Sequence, residues 1–188
     1  MHAELGIRYC WTALGCVWIV GLFRLKPVKY SQPAGPRMFH LALASLGFGM
    51  LGSTAFSQRW FSEQMIPHTP AAASLGFAAT LAGCALAAWA RVVLGGNWSA
   101  RATQKAGHEL IVRGPYRMVR HPIYTGLLLA SAGTAIVFGQ ARCLVGLGVI
   151  LLALIVKMSQ EERLMLHAFP REYATYRTRV KALVPGVF

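Results

Sequence analysis

Apolar residues fall into five runs separated by polar punctuation: 5–23, 38–56, 71–94, 123–138 and 143–156. The first three approach the roughly 20 residues that a helix needs to cross a hydrocarbon core about 30 Å thick. The last two are shorter. At about 1.5 Å per residue, the run 123–138 reaches only about 24 Å. Gly139-Gln-Ala-Arg142 alone joins these two runs, which predicts a tight antiparallel helical hairpin, tilted or shielded by its neighbours. The third run carries Ala72, Gly76, Gly83 and Ala87, with Ala79 and Thr80 nearby. Small residues at this spacing let helices approach closely in lipid. A groove accepting lipid would use the same residues, but close packing is the simpler reading.

The pattern changes after residue 156. Ser159-Gln-Glu-Glu162 fits a capping box. Leu164, Phe169, Tyr173, Tyr176 and Val180 form an irregular apolar stripe, and Pro170 is placed to open a new helical turn. This predicts a cytoplasmic amphipathic segment beyond the fifth run. No internal repeat, linker or second domain is visible, so residues 1–188 read as one domain, with three spans in 1–94 and the remaining elements in 95–188.

Composition turns these runs into membrane spans. The 188 residues are 55% hydrophobic and 13% charged, whereas soluble domains carry about 25% charged residues. The expected fold is an all-α integral membrane protein with about five transmembrane helices and a cytoplasmic C-terminal helical segment. The N-terminus lacks a basic leader and a cleavage site, so the first run reads as a retained helix rather than a signal peptide. Cys10, Cys16, Cys84 and Cys143 lie in or beside apolar runs with no CxxC pair, and read as small apolar residues.

The net charge of +13 invites a nucleic-acid reading. Its distribution argues otherwise. The segments 24–37, 91–121 and 157 onward hold all of the 19 cations except Arg8, Arg59 and Arg142. Five spans put those three segments on one side of the membrane, and the positive-inside rule makes that side cytoplasmic. No nucleic-acid partner is expected. The expected partners are membrane lipids, and the expected location is a bacterial inner membrane, or the endoplasmic reticulum in a eukaryote. Nothing in the chain fixes its oligomeric state.

Two polar blocks interrupt the apolar half. Arg113-Gly-Pro-Tyr-Arg-Met-Val-Arg-His-Pro-Ile-Tyr-Thr-Gly126 leads into the fourth run, and Lys157-Met-Ser-Gln-Glu161-Glu162 leaves the fifth. Ionisable groups at the ends of membrane-length segments are costly and mark function by default. The hairpin brings these ends together, with Pro122 opening the fourth helix. The chain has no GxGxxG, P-loop, HExxH or GxSxG, no Asp for a Ser-His-Asp triad, and no His spacing suited to a metal. Asn97-Trp-Ser99 matches a glycosylation sequon but falls on the expected cytoplasmic side.

At these residues the chain resembles the isoprenylcysteine carboxyl methyltransferase and phospholipid methyltransferase superfamily of integral membrane enzymes. The resemblance covers about half of the chain. It runs from Gly96-Asn-Trp-Ser99 through His108-Glu-Leu-Ile-Val112, Gly114-Pro-Tyr116 and Arg120-His-Pro-Ile-Tyr124 to Glu161-Glu162, Phe169, Tyr173 and Tyr176. It implies S-adenosylmethionine as methyl donor, S-adenosylhomocysteine as product, and residues 95–188 as the cofactor-binding half. Carried over, His121, Tyr124 and a glutamate of the pair Glu161 and Glu162, both candidates for cofactor binding, hold the donor's methionine moiety, while Trp98, Leu110, Val112 and Tyr116 line its adenine. Lys157 and Glu161 are the implied catalytic residues. Lys157 stands where the family usually has Arg, the third span lacks an acid that isoprenylcysteine enzymes place there, and Phe169-Pro170 replaces Phe-Gly. The implied acceptor is a lipidic molecule in the bilayer: a prenylcysteine-like carboxylate, a phenolic lipid or an aminophospholipid. The competing readings are a sterol-reductase-like enzyme using NADPH, which carries a related Arg-His-x-Asn-Tyr-x-Gly block, and a non-enzymatic membrane module.

Overall fold

The computed structural model describes residues 2–23, 28–31, 34–56, 58–97, 103–105 and 110–186. Each apolar run becomes a helix, because a helix satisfies its own backbone polar groups where lipid offers no partner. In order they are α1 (His2–Leu22), α2 (Ala34–Gly52), α3 (Pro70–Leu94), α4 (Pro122–Phe138) and α5 (Ala141–Ala168), followed by the short α6 (Pro170–Arg179). α1, α3 and α5 are long and apolar enough to cross a bilayer, while 38–52 and 122–138 are shorter apolar helices. One small element adds to the helical expectation. Strands β1 (Val28–Ser31) and β2 (Thr103–Lys105) form an antiparallel ribbon.

Local chemistry sets the helix ends. Thr69 caps α3, its hydroxyl accepting from Ala72 N at 3.1 Å, and Pro70 follows at the first position. Pro122 opens α4 as expected, and Gly139 closes it in a left-handed conformation (φ 65°) that favours glycine. Only Gly139 and Gln140 then separate α4 from α5. The capping box at Ser159 does not form. α5 runs unbroken through it, and the Ser159 hydroxyl instead donates to Val156 O at 2.8 Å. The stop comes at Phe169, ahead of Pro170. The fifth helix is therefore longer than its apolar run, and it carries Lys157, Glu161 and Glu162 on its own last turns.

The small residues of α3 pack, as expected. A Cβ on Gly83 would lie 2.5 Å from Gly126 O, and one on Gly126 would lie 2.6 Å from Gly83 O. Gly76 and Gly133 repeat this one turn-pair away, at 2.7 and 2.4 Å. α4 thus lies backbone to backbone against α3, and α5 pairs chiefly with α2 rather than with its hairpin partner. Between the glycine contacts, Thr80 Oγ1 and Thr134 Oγ1 sit 3.4 Å apart, and Trp11 Nε1 donates to Thr134 Oγ1 at 3.1 Å, tying in α1.

The helices alternate in direction, which gives the molecule two ends. At one, buried Arg142 donates to Met50 O (2.8 Å), Leu51 O (3.4 Å) and Ser53 O (3.0 Å). It occupies carbonyls that the end of α2 would otherwise leave without partners. Glu63 O accepts there from Ala141 N at 3.0 Å. At the other end lie the β1–β2 ribbon, the Arg91 guanidinium against Gly21, and both polar blocks. Among the described residues, the helix ends that border the three cation-rich segments, at Leu22, Ala34, Leu94 and Pro122 and in the last turns of α5, lie at this second end.

Candidate active site

The first polar block opens on a tight turn. Gly114 adopts φ 59°, and residues 114–117 form a single 3-10 turn that buries Pro115 and Tyr116. The Tyr116 hydroxyl donates to Ala90 O of α3 at 3.4 Å, and its carbonyl accepts from the Tyr176 hydroxyl of α6. Burial holds the Tyr116 phenol well above its usual range, with Glu161 adding to the effect. Burial also pushes Tyr176 up to about 12, against the opposing charge of Arg120. Both phenols are therefore neutral donors at any physiological pH.

Residues 119–121 are not helical, and the chain beyond α6 pairs beside them. Val119 and Lys181 form a parallel bridge, Arg120 N donates to Lys181 O at 2.8 Å, and His121 N donates to Ala182 O at 3.0 Å. His121 is the residue immediately before α4. Its ring stacks on that of Tyr124, with centroids 5.3 Å apart and planes 3° apart.

The last turns of α5 meet this platform. Glu162 Oε1 accepts from Arg120 Nε (2.9 Å) and Nη2 (2.6 Å) and lies 3.3 Å from His121 Nε2. Its other oxygen faces Arg177 Nε at 3.4 Å. Glu161 lies on the adjoining face. It accepts from Lys157 Nζ at 2.8 Å and from the Tyr124 hydroxyl, and sits 3.8 Å from His121 Nδ1. His121 thus stands between two carboxylates, one on each side of its ring. Arg120, Glu162 and Lys157 keep only 8%, 12% and 14% of their side-chain surface exposed, so these charges are paired largely away from water.

The structure brings Lys157, Glu161, Glu162, His121, Tyr124 and Tyr116 to one end of the molecule, as their spacing predicts. Leu110 is half-buried at the approach to this turn, and Val112 is exposed. Trp98 lies outside the described residues. Three residues had no role assigned from sequence. Arg120 proves to be the hub: besides Glu162, it reaches Val180 O and the Tyr173 hydroxyl. Its place inside the Arg-His-Pro motif was the available signal. Thr125 and Arg177 carried no signal, because nothing in their neighbourhoods marks one threonine or one exposed arginine as special.

The chemistry of this set is that of a cradle for a small zwitterion. It offers the Glu161 carboxylate to a cation, and an imidazole, a phenol and a lysine to an anion, while Glu162 is already engaged by Arg120, His121 and Arg177. No group of three or more His, Cys, Asp or Glu suited to a metal ion occurs among the described residues.

Comparison with known proteins points the same way. The family model of the isoprenylcysteine carboxyl methyltransferase (ICMT) family matches residues 75–167. Protein-S-isoprenylcysteine O-methyltransferase B of Arabidopsis thaliana is 31% identical over 81 residues, which are 43% of this chain and 41% of that protein. A probable protein-S-isoprenylcysteine O-methyltransferase of Oryza sativa subsp. indica is 32% identical over 81 residues, 43% of this chain and 42% of that protein. The aligned region spans about two-fifths of the length of these curated relatives. The solved eukaryotic intramembrane Ras methyltransferase ICMT superposes with a TM-score of 0.53 at 22% identity, over 83% of this chain and 55% of that one. At that identity the likeness is one of fold.

Proposed function

Since residues 75–167 belong to the isoprenylcysteine carboxyl methyltransferase family, we propose that this chain transfers a methyl group from S-adenosylmethionine to a prenylcysteine-type carboxylate in the membrane. The observation that carries the reading is the convergence of His121 and Tyr124 with Glu161 and Glu162. Four residues of two separate polar blocks meet within hydrogen-bonding reach at one end of a helical membrane fold.

The residues present fit the donor. Glu161 suits its ammonium group, and the His121 imidazole and Tyr124 phenol suit its carboxylate. Tyr116, Leu110 and Val112 are the aromatic and apolar side chains on the adenine side in this reading. When bound, the cofactor supplies an activated methyl on a sulfonium. The chain supplies position and exclusion of water. Glu162, already held by Arg120, His121 and Arg177, orients the imidazole rather than meeting ligand itself. Lys157 offers its ammonium to the acceptor carboxylate, which is ionised at neutral pH and needs no base. The activity for which the family is named favours this acceptor over a phenolic lipid or an aminophospholipid, and favours methyl transfer over NADPH chemistry. The cation-rich end faces the cytoplasm in this reading, so the acceptor's polar head meets the site there while its prenyl chain stays in the bilayer.

The test is direct. Purified protein should bind S-adenosylhomocysteine but not NADPH, and should methylate a farnesylcysteine analogue with labelled donor. Binding of NADPH alone would overturn the reading.

A further inference from the structure

His121 occupies an unusual mechanical position. It precedes α4: its carbonyl accepts the first helical bonds, from Tyr124 N at 2.9 Å and Thr125 N at 3.0 Å, but its own N–H has no partner in the helix, and its dihedrals are non-helical (φ −123°, ψ 59°) with no side-chain cap bond. Its N–H is held instead by Ala182 O, and the preceding N–H, that of Arg120, by Lys181 O. One turn further, the Thr125 hydroxyl donates to Leu183 O at 2.8 Å and lies at a longer 3.3 Å from His121 O. Three successive carbonyls of the segment after α6 therefore receive three donors of the Arg-His-Pro-Ile-Tyr-Thr block. Ala182 and Leu183 are each only 6% exposed, and pack in the same apolar cluster as Tyr116, Ile123, Tyr124 and Met158. The segment is seated by its side chains and meets the block through its backbone.

We propose that residues 181–183 act as a strap that sets the position of the His121 ring, with Thr125 and Leu183 as its positioning residues. Neither side chain needs to touch a ligand. Thr125 locks the strap to α4, Leu183 anchors it in the apolar cluster, and the strap holds the His121 backbone so that the ring stays stacked on Tyr124 between the two carboxylates. The inference rests on the proposed donor site only for its consequence in binding, because the geometry of the strap stands without it.

The test uses the full chain in detergent, with histidine labelled for NMR and the His121 signal identified by its loss in His121→Gln. Thr125→Val removes the hydroxyl at nearly constant shape, and Leu183→Asp lifts the anchor from the apolar cluster. Each should shift the His121 ring resonance and weaken S-adenosylhomocysteine binding by about three- to tenfold, the range that one net hydrogen bond commands. Thr125→Ser, which keeps the donor, should restore both. An unmoved His121 resonance in Thr125→Val, with or without a lowered melting temperature, would overturn the strap. Because the Thr125 hydroxyl also lies 3.3 Å from His121 O, the Leu183 arm separates the strap from that direct contact; if Leu183→Asp fails to fold, Leu183→Ala takes its place, and an unmoved His121 resonance there overturns the strap. If the unmutated chain binds no S-adenosylhomocysteine, the donor-site reading falls, while the His121 resonance still judges the strap.

Discussion

Two neighbouring glutamates at 161 and 162 face different tasks, and the distinction is testable. Glu162 is committed to Arg120, His121 and Arg177, whereas Glu161 meets Lys157, Tyr124 and the far side of the imidazole. Glu162→Gln leaves Arg120 in a largely buried setting without its counter-charge. Breaking such a pair costs about 3–5 kcal/mol when burial is complete, and less here because Arg177 is half exposed. We expect a clear fall in melting temperature together with weaker S-adenosylhomocysteine binding. Glu161→Gln and His121→Ala should mainly weaken binding, by about 1.5–3 kcal/mol for one lost charge-assisted hydrogen bond, or roughly tenfold and more. Calorimetric titration beside thermal unfolding separates the two patterns, and unchanged affinity in all three variants would remove the site. Lys157 carries the acceptor question. Lys157→Met should cut turnover on a prenylcysteine carboxylate while donor affinity holds or rises, because Glu161 loses its competing ammonium. Lys157→Arg should keep turnover, since a guanidinium fork can grip both carboxylate oxygens. Near-normal turnover in Lys157→Met would leave Lys157 as a lysine that merely snorkels from α5. At this scale the sequence was readable where chemistry clusters along the chain. His121, Tyr124 and the glutamate pair stand out because charge near an apolar run is rare. The roles of Thr125 and Arg177 were not readable, because they come from contacts with segments about 58 and 15 residues away along the chain.

At the scale of elements, the five apolar runs translated into helices because period and length leave few alternatives in lipid. What the pattern could not give was partnership. A short connection suggests that α4 and α5 lie together, yet α4 packs on α3, where paired glycines bring the backbones into contact, and α5 packs on α2. The extent of α5 was also hidden. Ser159-Gln-Glu-Glu162 has the composition of a helix start, but a helix already under way continues through it, because extending costs less than starting afresh. This continuity carries the glutamates on a rigid element. The glycine interface predicts a graded mutational pattern. Gly83→Ala and Gly126→Ala each place a methyl within about 2.4–2.6 Å of the facing backbone, which cannot yield as a flexible side chain can. Each should destabilise by about 1–3 kcal/mol, the cost of overpacking a close-fitted core. Gly148→Ala meets nothing within 4 Å and should be neutral or slightly stabilising. Equal melting temperatures for Gly83→Ala and Gly148→Ala in detergent would refute the packing account.

For the whole molecule, charge and fold make one argument about orientation. The alternating helices leave two ends, and the helix ends that border the cation-rich stretches 24–37, 91–121 and 157 onward of the sequence lie at the end that holds the candidate site. The β1–β2 ribbon joins two of these segments directly, pairing Val28 with Lys105. At the opposite end, Arg142 is consumed by carbonyls of α2, so one of the three cations there has a structural task. In the proposed orientation the positive flanks stay in the cytoplasm, and the site then lies where the proposed water-soluble donor is available and where the proposed lipidated acceptor can present its carboxylate at the membrane surface. A cysteine at position 105 reports on this arrangement without touching the site. In a background lacking the four native cysteines, Lys105→Cys should react with a membrane-impermeant maleimide only after the membrane is opened. Arg59→Cys, in the segment between α2 and α3, should react in intact cells or vesicles. The reverse pattern would invert the protein and put the site on the wrong side for its donor. Labelling of both positions from one side would mean that α3, the single long helix between them, does not cross the bilayer, and the up-and-down arrangement as a set of spans would fail with it.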